Sequence, residues 1–210
     1  MLTDGLFNKE IPSPSTSGNV LTSDGNHWVS QAAAGGGSMN LIQSVSISAG
    51  DTTATVTGMN STYDRFVIMG SQIRIQGGAS QIRVTREVGS AYTMSARYSQ
   101  FNFQSNTSSI SNSNQNGSDQ AFVIIGQSLD GTNANSTTMF EFHVDKPSDT
   151  SLNKLYSYNL RSVIATDPYL KQSTGVIYDQ TTSAVTGIRF YPNTGSFLGG
   201  AIRLYGISNS

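Results

Sequence analysis

The sequence predicts an all-β protein, an antiparallel β-sandwich with an extended N-terminal arm. Three observations carry that expectation. From residue 41 onward, short apolar stretches are separated by segments rich in Gly, Asn, Asp and Ser, which is how short antiparallel strands are punctuated. Four stretches share one pattern: Ile73-Arg74-Ile75, Ile82-Arg83-Val84, Ile188-Arg189-Phe190 and Ile202-Arg203-Leu204. Strand side chains alternate faces, so each pattern turns its aliphatic groups to a core and its guanidinium outward. Finally, no long run of the chain keeps a helical period.

Residues 1–40 carry Pro12, Pro14, Gly18, Gly25 and the run Gly35-Gly36-Gly37, with apolar side chains only scattered among them. This composition predicts an extended attachment arm that ends in an Ala/Gly hinge over 32–38. Within the arm, Asp24-Gly25 sits between short apolar flanks and predicts a hairpin turn. A hairpin alone buries little, so Val20, Leu21, Trp28 and Val29 are the candidate attachment residues. Their partner surface is another subunit, a neighbouring protein or the chain's own body. From residue 41 to 210 the predicted strands are 42–48, 53–58, 64–75, 81–87, 92–99, 120–126, 137–144, 154–165, 174–179, 184–191 and 201–207. About ten short strands suffice for two sheets around one shared core.

The segment 101–120 stands apart. It reads FNFQSNTSSISNSNQNGSDQ, with Ile110 as its one aliphatic residue, and predicts a long surface loop. Such a loop is either plain solvent-facing chain or a contact loop for a subunit or ligand.

Composition narrows the function. The 210 residues include no cysteine, one tryptophan and two histidines; charged side chains make up 12% and the formal net charge is -1. Ser, Thr, Asn and Gln account for 81 of the 210. Without an excess of basic residues, nucleic acid is not an expected partner. The absence of cysteine excludes disulfides, thiolate zinc sites and cysteine nucleophiles. No apolar stretch is long enough for a transmembrane helix, and the first residues lack the basic start and apolar core of a secretion signal.

Catalytic signals are sparse, and neither a catalytic residue nor a cofactor is expected. His27 and His143 have no companions at zinc-ligand spacing. Glu141 and Asp145 share a predicted strand face but stand roughly 13 Å apart along an extended chain. Gly35-Gly36-Gly37 lacks the residues that complete a phosphate loop, and no G-x-S-x-G elbow occurs. Tyrosines offer the better binding surface. Tyr92 and Tyr98 flank one predicted strand and Tyr156 and Tyr158 share a face of another, positions suited to sugar or subunit contact or to ordinary sheet-edge packing.

Several segments together resemble one family. Ser61-Thr62-Tyr63-Asp64-Arg65-Phe66-Val67-Ile68-Met69-Gly70-Ser71 is similar to a stretch recurrent in structural proteins of tailed bacteriophages. There it follows a short strand pair, as Ile47-Ser48-Ala49-Gly50 and Ala54-Thr55-Val56-Thr57-Gly58 do here. The ending Val185-Thr186-Gly187-Ile188-Arg189-Phe190-Tyr191, with 196–200 and Ala201-Ile202-Arg203-Leu204-Tyr205-Gly206-Ile207, resembles the C-terminus of the same group. The stretch from Gly18 to Trp28 is similar to attachment regions of phage tail-fibre and decoration-like proteins. The resemblance covers roughly residues 18–75 and 184–207. It implies a non-enzymatic virion protein, a capsid decoration (cement) protein or short fibre with a jelly-roll-like domain, commonly a homotrimer. The implied partners are a major capsid or tail protein. The rival expectation is a tail-fibre module that recognises host surface carbohydrate.

Overall fold

The computed structural model describes residues 19–23, 28–32, 39–77, 80–89, 91–105, 110–120, 122–129, 135–165 and 169–207. Strands β1 (Asn19–Ser23) and β2 (Trp28–Ala32) pair antiparallel, with Asn19 opposite Ala32 and Ser23 opposite Trp28. The hairpin expected in this stretch is therefore present, although its turn, with Asp24-Gly25, lies outside the described residues. The hairpin and the rest of the chain form separate compact units.

In chain order the second unit comprises β3 (Met39–Ile47), β4 (Ala54–Thr57), β5 (Arg65–Ile75), β6 (Ser80–Val88), β7 (Ala91–Thr93), β8 (Ala96–Ser105), β9 (Ile110–Gln120), β10 (Val123–Leu129), β11 (Thr137–Asp145), β12 (Lys154–Ile164), β13 (Tyr169–Asp179), β14 (Gly187–Pro192) and β15 (Phe197–Ile207). Eight strands form one sheet in the order β3-β15-β5-β11-β12-β13-β8-β9. The other five form a second, β10-β6-β14-β4, with β7 added beside β6. Every pairing is antiparallel.

Period-two patterning explains why the sheets face each other. In all four Ile-Arg patterns the flanking apolar residues are buried while the arginine stays half-exposed. Phe190 of the smaller sheet inserts between Phe140 and Phe142 of the larger, with ring centroids 4.8 Å and 5.8 Å away. Burial parity changes within β5, from Phe66 and Ile68 to Ile73 and Ile75. The extra residue is absorbed at Gln72, whose φ is 53°, where the register with β11 also shifts. β15 makes a matching change at Gly199-Gly200, with φ of 152° and 132°; a Cβ on Gly200 would stand 2.7 Å from the Ile73 side chain. The two irregularities lie together where β5 and β15 pair.

The sandwich is closed by a buried polar cluster. Arg86 continues the inward parity of Ile82 and Val84 and donates from Nε to Asp179 Oδ2 on the opposite sheet. The Asp179 side chain is wholly buried. It also accepts from the Tyr156 hydroxyl at 3.3 Å and, through Oδ1, from the Ser95 backbone N–H at 3.3 Å. Lys154, opposite Asp179 in the β12–β13 register, is buried too and donates to the carbonyls of Asp149 and Leu152. Burial pulls the Lys154 ammonium below the usual lysine range, and burial beside the Asp179 carboxylate pushes the Tyr156 phenol well above the usual tyrosine range.

Two sequence expectations are corrected. The predicted strand 92–99 is two strands, because the chain crosses between sheets at Met94-Ser95: β7 pairs with β6 and β8 with β13. The predicted loop 101–120 holds the end of β8 and the whole of β9, paired with each other, while 106–109 lie outside the described residues. The alternation Phe101-Asn102-Phe103-Gln104 is strand-like, but its inward positions are polar. Gln100 is buried and donates from Nε2 to Ser173 Oγ at 2.5 Å and Asn102 Oδ1 at 2.8 Å. Side-chain amides therefore replace an apolar core at this end of the wider sheet, so an aliphatic pattern was absent.

Removing one partner of a buried ion pair strands the other charge. Asp179→Asn is expected to lower unfolding stability by about 3–5 kcal/mol in urea denaturation, and the double change R86M/D179L by less than either single change. A second expectation concerns the buried phenols. Tyr156 has a folded-state pKa above its unfolded value near 10, so its contribution is complete below about pH 10 and is lost as pH rises toward the folded value. Alkaline titration followed at 295 nm should leave Tyr156 and Tyr158 un-ionised until the fold is lost, and Tyr156→Phe should reduce the loss of stability between about pH 10 and 12.

Candidate functional site

The candidate tyrosines divide. Tyr156 and Tyr158 do share a face, but it is the core face: both are buried, on the same parity as Leu160. Tyr158 lies opposite Gly175, where a Cβ would come within 2.7 Å of its hydroxyl oxygen, so the missing side chain makes room for the ring. The expectation that this pair forms a contact surface is thus overturned. Tyr98 is half-buried and packs against the core. Tyr92 is half-buried on the smaller sheet, and the Arg189 guanidinium stacks 3.3 Å from its ring centroid. Val20, Leu21, Trp28 and Val29 lie in β1 and β2, with Val20 opposite Gln31, Leu21 opposite Ser30, Thr22 opposite Val29 and Ser23 opposite Trp28.

A contact face instead emerges on the outer side of the larger sheet. Because β11, β12, β13 and β8 are neighbours in register, their outward residues form rows. One row runs Met139, Arg161, Gln172, Phe103, and the next Glu141, Asn159, Thr174, Phe101. Beyond them lie the pairs Val163–Leu170 and Ser157–Val176. Large apolar side chains on this face stand open to solvent, with Met139 53%, Leu170 59%, Val176 50% and Phe101 45% exposed. Three shallow depressions of about 380, 250 and 470 Å³ cross it and share lining residues, Met139 and Arg161 between the first two, Glu141 and Asn159 between the last two.

His143 Nε2 lies 3.8 Å from Glu141 Oε2, a side-by-side pair on one strand. Asp145 instead accepts from Arg65 Nε at 2.8 Å, an exposed pair of small energetic weight. Among the described residues no three His, Asp or Glu side chains could hold a metal ion. Lys154 and Tyr156, both shifted by burial, lie in the buried cluster around Asp179 rather than on this face. Sequence reasoning passed over Arg86, Lys154 and Asp179, although strict alternation placed all three on core-facing positions.

No protein-family model and no curated protein matches the chain.

Exposure separates the two faces energetically. Phe103→Ser and Val176→Thr are each expected to change the stability of the sandwich by no more than about 0.5 kcal/mol, whereas Phe142→Ala in the core should cost about 3–5 kcal/mol. Denaturant titration of the three variants under dilute conditions checks the contrast.

Proposed function

We propose that the chain is a non-enzymatic structural protein of a bacteriophage particle, a capsid decoration or cement protein or a short fibre. On this reading the sandwich is jelly-roll-like, trimerises through the outer face of its larger sheet, and is anchored to a neighbouring virion protein by the N-terminal segment that contains β1 and β2. The observation that carries the assembly is the exposed apolar side chains Phe103, Met139, Val163 and Leu170, which line one depression, with Phe101 and Val176 further along the same face. Contiguous apolar side chains on a sheet face mark an interaction surface. A second copy is the favoured occupant because the face carries both Glu141 and Arg161 beside its apolar groups, and the chain's net charge of -1 raises little repulsion between copies. The phage setting rests on the resemblance of the segments 18–75 and 184–207. Anchoring would gain from multivalency, since three linked copies raise the effective concentration of each arm.

Light scattering coupled to size-exclusion chromatography tests the assembly. The wild-type protein is expected to run at three times the chain mass, and V176D/F103D at the mass of one chain with its melting temperature held. A wild-type monomer at high concentration would contradict the reading.

A further inference from the structure

The outer face of the smaller sheet has a different chemistry. None of the exposed large hydrophobic side chains among the described residues belongs to β4, β6, β10 or β14. Its centre is a square formed by two register pairs, Arg189 opposite Thr85 and Tyr191 opposite Arg83. The two arginines occupy diagonal corners, and diagonal neighbours on adjacent strands are about 7–8 Å apart at the backbone. The Thr85 and Tyr191 hydroxyls take the other corners.

Each guanidinium lies over a ring. Arg189 lies 3.3 Å from the Tyr92 centroid and Arg83 4.1 Å from that of Phe122. Gln81 Oε1 accepts from Arg83 Nε and Nη2 and fixes its rotation. Neither arginine has a carboxylate partner among the described residues. Glu87, the next outward residue on β6, leans over Gly187, away from the Tyr191 end, where a glycine Cβ would meet its Oε2 at 2.7 Å. Two donors are left without acceptors: Arg189 Nε is buried and unpartnered, and so is Oγ1 of Thr85, a residue only 6% exposed. Burying such groups unmatched costs free energy. Burial raises the Tyr191 phenol above the usual tyrosine range despite both guanidiniums, so it is a donor at neutral pH.

We propose that this square binds the carboxylate or sulfate group of an acidic saccharide between Arg83 and Arg189, with the Tyr191 hydroxyl as a further donor. The planar forks match an oxyanion, and the Thr55 hydroxyl position beside Arg189 extends a polar surface suited to sugar hydroxyls. An acidic peptide is less suited, because this face lacks the apolar anchors that hold protein partners. The site is independent of assembly through the larger sheet.

Isothermal titration at low salt tests it with oligogalacturonate and a sulfated dextran oligosaccharide as probes, neutral dextran and polyglutamate as comparisons. At least one acidic probe should bind the wild-type protein, and neutral dextran should not. R83A/R189A should weaken binding about tenfold or more, as expected when charge-assisted hydrogen bonds are lost. R83K/R189K keeps the charges and guards against misfolding; it should bind more weakly than wild type with its melting temperature held. Three results would each overturn the proposal: no binding of either acidic probe, equal binding by the alanine or lysine variant, or polyglutamate binding as tightly as the saccharides.

Discussion

The sandwich depends on one buried anion. Asp179 closes β13 at the point where Arg86 arrives from the smaller sheet, Tyr156 from β12, and the Ser95 N–H from the crossover between β7 and β8. A carboxylate taken wholly out of water is tolerable only when its lone pairs are filled, and the three donors come from three parts of the chain. The cluster therefore specifies how the sheets are aligned as well as holding them. A shift of one residue in β6 would turn Arg86 to solvent and leave Asp179 without its cation. Apolar packing around Phe140, Phe142 and Phe190 supplies the bulk of the attraction but tolerates small slips that this cluster does not.

With the inner faces fixed, the outer faces are fixed too, because alternation leaves no choice. The larger sheet turns Met139, Phe101, Phe103 and Val176 outward, while the smaller turns out Arg83, Arg189 and Tyr191. One surface gains free energy by losing contact with water, and the other holds charged donors that favour a hydrated anionic ligand. On the proposed reading, copies pack through the larger sheet and leave the arginine-bearing face of the smaller sheet accessible.

Much of the architecture was legible in the sequence. The Ile-Arg-apolar repeats gave the facing of β5, β6, β14 and β15, and the Gly/Asn/Asp/Ser separators gave most strand limits, because both signals come from local alternation and turn chemistry. β9 was not legible: Ser, Asn and Gln carry no apolar period, and its pairing depends on β8 rather than on a core. Tyr156 and Tyr158 were misjudged for a related reason. Residue type suggested a surface, whereas their parity with Leu160 placed them inside. The contact rows require strand order, which brings β8 beside β13 across the chain and leaves no trace in linear spacing.

The most direct test of the division between the two faces is hydrogen exchange measured by mass spectrometry at increasing protein concentration. Amides of β11, β12 and β13 should become more protected as copies associate, while those of β6 and β14 keep a constant rate. Protection that rises over β6 and β14 instead, or that does not change with concentration anywhere in the sandwich, would contradict the account.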